Sequence, residues 1–297
     1  MTIAQDSAIS AAAQIARTHR QPGLFTRMLH NRLALAGMII TGLVMMTAIL
    51  APVLAPYDPL VMSLPVRLQP PSAAHLLGTD HLGRDILSRI IYGARISLEV
   101  GVVAVALGSI LGLIAGAAAG YLGGRTDIII MSVMDAVYAF PAILLALVLV
   151  AALGSSLVTV MTAIAIVRIP IFARTVRGCI LSEREKEYIE AARCLGQRQF
   201  WILARHILPN ILAPLIVVTT TYFATAIVVE ASLSFLGLGV PPPAASWGVM
   251  LNDGRKYMEQ YPYVAIFPGL AISLTVLGFN FLGDGLRDVL DPRLKNG

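Results

Sequence analysis

The sequence predicts an all-α integral membrane protein, a bundle of about six transmembrane helices with one charged loop, and three observations carry that prediction. Of its 297 residues, 57% are hydrophobic and only 13% charged, whereas soluble domains are roughly one quarter charged. Apolar runs near or above the roughly 20 residues that cross a bilayer recur at 33–55, 96–119, 128–151, 157–173, 211–233 and 264–282. The longest charged stretch, 183–209, stands alone between the fourth and fifth runs.

Residues 1–32 are polar and basic, with Arg17, Arg20, Arg27 and Arg32 ahead of the first run, so this end is expected in the cytoplasm. That run is longer than the roughly 7–15 residues of a signal-peptide core and is expected to remain as a helix. With both termini on one side, the inner segments carry Arg125, Arg174, Arg177, Arg184, Lys186, Arg193, Arg198, Arg205, Arg287, Arg293 and Lys295. The outer segments carry only Arg67, Arg84, Arg89, Arg95, Arg255 and Lys256, so the charged loop is expected inside. The chain then divides into an N-terminal segment 1–32, a membrane domain 33–285 and a cytoplasmic tail 286–297.

A proline-rich stretch follows the first run and leads into an amphipathic segment at 75–97. Thr79 or Asp80 is expected to cap a helix there, with Ile86, Ile90 and Ala94 on the membrane side and Arg84, Arg89 and Arg95 on the solvent side, running straight into the second crossing. His75, Asp80, His81 and Asp85 have metal-ligand chemistry, but two of them serve equally well at a helix start, and no metal site is assigned. Gly101, Gly108, Gly112, Gly116 and Gly120 give the second crossing small residues near every fourth position, the pattern of a closely packed interior helix.

The third crossing holds Asp135 and Pro141, the fifth Glu230. Ionisable groups in a membrane face a partner or a wet cavity, so each carboxylate is either structural or part of a translocation path, and Arg168 is a candidate partner for either. After the fifth crossing, Pro241, Pro242 and Pro243 exclude helix, and Trp247 is expected at the outer interface.

The loop at 182–209 reads as two short helices joined by a glycine. Ser182 and Glu185 have capping-box spacing, and Glu183, Glu185 and Glu187 suit a helix start. Tyr188, Ala192 and Leu195 predict one apolar stripe; Phe200, Leu203 and Ile207 predict another, while Gly196 ends the first helix and Pro209 breaks the chain before the next run. Such a knob fits a groove on another protein. The net charge of +5 is spread along the flanks of apolar runs, which argues against nucleic acid. Cys179 and Cys194 lack ligand spacing and are expected as free thiols. The sequence has no GxxxxGKS/T phosphate loop and no hydrolytic HExxH or GxSxG motif, so the chain is not expected to be an enzyme.

Glu190, Ala191, Ala192, Gly196, Leu208 and Pro209 are spaced so that the loop resembles the EAA loop of membrane subunits of ATP-binding-cassette importers, which inserts into a cleft on the ATPase subunit. That family usually has isoleucine where this chain has His206. Together with HLLGTDHLGRDILSRIIYGARISL at 75–98, EASLSFLGLGVPPPAASWG at 230–248 and GDGLRDVLDPRL at 283–294, the chain is similar, from about residue 30 onward, to the second permease of peptide-type importers, the dipeptide, oligopeptide and nickel subfamily. The resemblance implies the type I importer permease fold in a bacterial cytoplasmic membrane. It implies a heterodimer with a sister permease, two cytoplasmic ATPase subunits that bind the ATP and magnesium, a soluble substrate-binding protein outside, and no cofactor on this chain. It also implies that Glu190 orients the loop, Gly196 sets its bend and Pro209 fixes its junction. The implied cargo is a small peptide, with nickel or another small solute as the alternative. A proton-coupled carrier with Asp135 and Glu230 as proton sites is the rival from another class.

Overall fold

The computed structural model describes residues 24–290. The calls on Arg17, Arg20, Arg293 and Lys295 lie outside those residues. Helix α1 (Leu24–His30) leads to Asn31, whose side chain accepts the amides of Leu33 and Ala34 and so caps α2 (Arg32–Ile49). A short turn, α3 (Ala51–Leu54), and an irregular segment precede α4 (Ile86–Leu122). At 37 residues α4 is about 55 Å long, more than a bilayer needs, so the amphipathic segment and the second crossing are one continuous rod, as expected.

Then come α5 (Gly124–Tyr138), α6 (Ala142–Leu153), α7 (Leu157–Glu183), the loop helices α8 (Glu187–Cys194) and α9 (Gln199–Ile202), and α10 (Leu208–Phe235). The last are α11 (Trp247–Gly254) and α12 (Tyr263–Leu290). Five stretches are long and apolar enough to cross a membrane, and α5 with α6 makes a sixth when counted as one broken span. Ile39, Leu43, Ile110, Ile114, Val148 and Val158 are mostly exposed, as on helices that meet lipid or another apolar surface.

Three boundaries differ from the apolar runs. The third run is no single rod: α5 and α6 meet at 87°. Pro141 has no amide hydrogen and its ring drives Phe140 out of helical geometry, so α5 stops at Tyr138 and α6 restarts from Pro141 as its cap. The fourth run continues past 173 to Glu183, carrying Pro170 within the helix. The sixth continues to Leu290, so residues 286–290, expected as tail, are helical.

The central packing is α4 against α7, and glycine makes it possible. A Cβ at Gly112 would sit 2.4 Å from the Phe172 Cβ, and one at Gly116 would sit 2.4 Å from the Ala173 carbonyl. No larger residue fits, so the spacing of small residues sets the helix–helix distance. On the other side α2 lies on α12, where a Cβ at Gly37 would stand 2.4 Å from the Leu282 amide. Helix α10 fills the space between, with Phe223 and Phe279 rings 4.1 Å apart.

The bundle has two ends. At the loop end α4, α7 and α12 finish while α2 and α10 begin; Asn31 donates to Asp288 across it at 3.3 Å. At the far end, Tyr57 donates its amide to Ser88 (3.1 Å), Trp247 its indole to the Ile90 carbonyl (3.0 Å) and Tyr263 its hydroxyl to the Leu68 carbonyl (2.7 Å). Trp247, expected at an interface, is therefore buried at the start of α11 against α4.

The far end also corrects the reading of 75–97. The cap of α4 is Asp85, which accepts the Ser88 amide at 2.8 Å, and neither Thr79 nor Asp80 plays that part. Arg84 and Arg89, expected on a solvent face, are only 4% and 1% exposed. Buried guanidinium groups require counter-charge, and Asp80 supplies it: its carboxylate lies 2.6 Å from Arg84 Nε and 3.6 Å from Arg89 Nε. Asp253 of α11 adds a second contact to Arg84 at 3.3 Å, and Arg89 donates to the Pro59 carbonyl. His75 bonds Asp85 at 2.9 Å, and His81 stacks on Tyr257 with ring centres 5.5 Å apart. Of the candidate metal-ligating side chains, His75 and Asp85 thus pair with each other, while Asp80 turns to the arginines and His81 to Tyr257.

Candidate functional site

The charged loop leaves α7 later than its sequence suggests. Ser182 lies in the last turn of α7 and caps nothing; α8 begins at Glu187 behind Lys186, which gives it no side-chain cap. Glu183 is used differently from a first-turn acid. It receives the Tyr188 hydroxyl and stands 2.6 Å from the Lys186 amine, and Asn210 of α10 donates to the Tyr188 oxygen at 2.8 Å. Four side chains therefore staple the end of α7, the start of α8 and the start of α10 into one base. The Glu183 bond holds the Lys186 amine above its ordinary range, and burial pushes the Tyr188 phenol up.

Helix α8 ends as expected at glycine. Gly196 has φ +73°, its amide donates to Arg193, and the Gln197 amide reaches back to Ala192, the paired bonds of a Schellman cap. Only a residue without Cβ takes that conformation without strain. Pro209, in contrast, breaks nothing. Helix α9, a π turn (Leu203–Ile207) and α10 form one continuous helix of 37 residues. The Leu208 amide donates to Leu203, and this wider turn makes room for the proline ring, which would clash with an ordinary α turn.

The two expected apolar stripes are each split. In α8, Ile189 and Ala192 face the bundle, while Tyr188 and Leu195 face out; Leu195 follows the last helical residue and turns away. In the second helix Ile202 and Ile207 are buried, while Phe200 points outward, because the π turn shifts the spacing. The result is a buried isoleucine base beneath an exposed apolar tip: Leu195 is 82% exposed, Phe200 71% and Trp201 56%. Phe200 and Trp201 contact each other edge to face at 6.2 Å. Trp201, Ile189 and Ile202 were not singled out by spacing; two adjacent aromatics in a polar run are the signal that would have found the tip.

Of the positions matched to the EAA pattern, Glu190, Ala191, Gly196 and Pro209 are exposed, Ala192 is buried and Leu208 half-buried. Glu190 lines a polar cleft of about 470 Å³ with Tyr121, Arg184, Glu185, Arg193 and Gln199. The cleft is fixed to the bundle: Arg184 donates to the Gly120 carbonyl at 3.0 Å and Tyr121 to the Gln199 carbonyl at 2.8 Å. His206, at the position where isoleucine is usual, bonds Gln197 at 3.0 Å and closes the turn around Gly196.

The membrane carboxylates sit elsewhere. Asp135 of α5 accepts from Arg174 at 2.7 Å on an exposed face, with that guanidinium 4.3 Å from the Tyr138 ring. Glu230 of α10 is wholly buried, accepting from Ser234 at 2.9 Å and from Ser97 of α4 at 3.3 Å. Arg168 pairs with neither; it lies over the Tyr222 ring at 5.0 Å. Glu99, which periodicity does not distinguish, is exposed beside Arg95 in a recess of about 540 Å³ between α2 and α4.

Over most of its length the chain is similar to known proteins. Residues 79–296 match the family described as binding-protein-dependent transport system inner membrane component, and residues 24–71 match the N-terminal TM domain of oligopeptide transport permease C. The chain is 48% identical over 272 residues to a dipeptide transport system permease protein of Alkalihalophilus pseudofirmus, covering 92% of this chain and 90% of that protein. It is 48% identical over 271 residues to a glutathione transport system permease protein of Pectobacterium atrosepticum (91% and 90% covered). It is 45% identical to a di/tripeptide transport system permease protein of Pseudomonas aeruginosa (90% of each covered). Among solved structures, the inward-facing MetNI methionine ABC transporter matches with a TM-score of 0.57 at 20% identity over 68% of this chain and 96% of that one, a likeness of fold. With residues 79–296 matched, most of its length, the chain belongs to the family of binding-protein-dependent transport system inner membrane components.

Proposed function

We propose that this chain is one of two permeases of an ATP-driven importer of small peptides, and that the loop between α7 and α10 couples it to a cytoplasmic ATPase. The observation that carries the reading is the exposed Leu195, Phe200 and Trp201 tip on its buried isoleucine base. A solvent-facing apolar tip of this kind calls for a groove on another protein, and aromatic anchors supply most of the binding energy in such contacts. Because α9 runs through the π turn into α10 without a break, a displacement of the tip is carried directly along a membrane span. ATP and magnesium belong to the ATPase subunits; this chain contributes Glu190 and the polar cleft to orient the contact, and Gly196 to set the bend.

The sister permease completes the passage, a substrate-binding protein docks at the far end outside the membrane, and lipid covers the remaining apolar faces. In this arrangement the loop end and both termini are cytoplasmic. Asp135, on the exposed face of α5, belongs to the passage, and Glu230 fastens α10 to α4. The relatives that carry peptides and glutathione favour a peptide cargo over nickel. The test is to purify the chain with its co-expressed neighbours and reconstitute it in lipid. ATPase activity that rises with a peptide-loaded binding protein, with peptide accumulating inside, is the expected result; a lone chain that moves solute without nucleotide would overturn it.

A further inference from the structure

Helix α7 carries Arg168, Arg174 and Arg177, and their surroundings differ. Arg174 is neutralised by Asp135 at 2.7 Å, and Arg177 by Asp127 at 2.5 and 2.6 Å, both aspartates on α5. Where this chain needs a permanent counter-ion it supplies its own, as it does at Asp80 and at Glu183. Arg168 has no ion-pair partner among the described residues, and its Nε is buried without a hydrogen-bond acceptor. Its stem lies against α4, where a Cβ at Gly108 would touch its Cβ at 3.4 Å, and its guanidinium rests on the Tyr222 ring.

Such a group is expensive to leave uncompensated halfway along a membrane span. The break after α5 lies nearby along α7: the guanidinium of Arg174 sits 4.3 Å from the ring of Tyr138, the last residue before the 87° bend. Irregular backbone at membrane depth is tolerated only against protein or a water-filled cavity. Tyr222, on its other side, lines an open cavity of about 670 Å³ between α10 and α12 that Arg168 does not itself line and that also holds Asp284 and Arg287.

We propose that Arg168, backed by Tyr222, is an anion-binding station in the passage, which takes the C-terminal carboxylate of the peptide as a transient counter-ion. The inference rests on the peptide-importer reading. A guanidinium binds a carboxylate through charge-assisted hydrogen bonds, whereas a C-terminal amide offers it no charge. Tyr222 holds the cation while the station is empty, which a neutral ring does without competing strongly for it. A carboxylate from the sister permease is the other chemistry that would satisfy Arg168, and the experiment separates the two.

The experiment uses the complete transporter in nanodiscs, without binding protein, and measures equilibrium binding of radiolabelled alanyl-alanine with competition by its C-terminal amide. Wild type is expected to prefer the free acid by roughly tenfold, the worth of one charged hydrogen bond. Arg168→Gln is expected to abolish the preference with assembly intact, and Arg168→Lys to restore part of it. A preference unchanged in Arg168→Gln, a wild type that holds acid and amide equally or holds neither at millimolar concentration, or loss of the sister permease from the Arg168→Gln complex would each overturn the proposal. Failure of the peptide-importer reading has a separate signature: the wild-type transporter with its binding protein accumulates no peptide at all.

Discussion

The far end and the loop end of this bundle handle their polar groups in opposite ways. At the far end, Asp80, Arg84 and Arg89 are buried together and Glu230 is closed in by serines, so the chain satisfies its own charges. At the loop end Glu190, Arg193 and Arg198 remain exposed around an apolar tip, and the ties that fix the loop run through Glu183, Tyr188 and Arg184 at its base. A region whose buried charges are met from within is built for rigidity, and a loop tip whose apolar side chains are left uncovered is built to be covered by something else. The bundle links the two through α4, α7 and α10.

The comparison predicts a ranking of mutational effects. Asp80→Ala leaves buried Arg84 with only its longer contact to Asp253 and buried Arg89 with only the Pro59 carbonyl, and is expected to destabilise the far end by about 3 kcal/mol, read as a large drop in thermal stability of the detergent-solubilised protein. A variant as stable as wild type would mean that this cluster is not what holds the far end. Gly196→Val puts a β-branched residue at φ +73°, a strain of about 1–2 kcal/mol on the loop alone, since nothing lies near enough for its Cβ to strike. Membrane insertion and global stability are expected to survive while ATP hydrolysis continues with little uptake; normal uptake would remove Gly196 from the coupling geometry. Lys186→Met is the mildest, below about 1 kcal/mol, because the pair with Glu183 is largely exposed on the lysine side. The raised pKa of Lys186 means its contribution is fully present below the ordinary lysine value and is lost as pH rises through the folded one, so no change is expected between pH 6 and 9 (roughly the range below that of a free lysine). Loss of the loop contact at neutral pH in this variant would contradict that reading.

The parts that local chemistry governs were legible in the chain. Apolar run length marked the spans, small residues near every fourth position marked α4 as a closely packed helix though not α7 as its partner, and Gly196 marked the end of α8. What escaped depends on partners distant in sequence. Arg84 looks like a solvent-facing residue until the loop folds Asp80, four residues back, onto it and Asp253, 169 residues away, closes over the pair. Proline was ambiguous for a similar reason: Pro170, Pro214 and Pro268 lie within continuous helices, whereas Pro141 separates two. Pro209 was misjudged because a π turn, which no spacing announces, accommodates it. In the loop, the same turn moved Phe200 from the inner to the outer face and exchanged it for Ile202.

The direct test of the central claim is the retention of ATPase subunits on a tagged Phe200→Ala, Trp201→Ala double variant, co-expressed with its neighbours and compared with wild type. Both side chains are mostly exposed, so thermal stability of the permease is expected to be unchanged. Removal of two aromatic anchors is expected to weaken the ATPase contact by at least about 2 kcal/mol, roughly thirtyfold, so that the subunits are lost during washing. A double variant that keeps its full complement of ATPase and its peptide-stimulated activity would show that the tip of this loop is not the coupling surface.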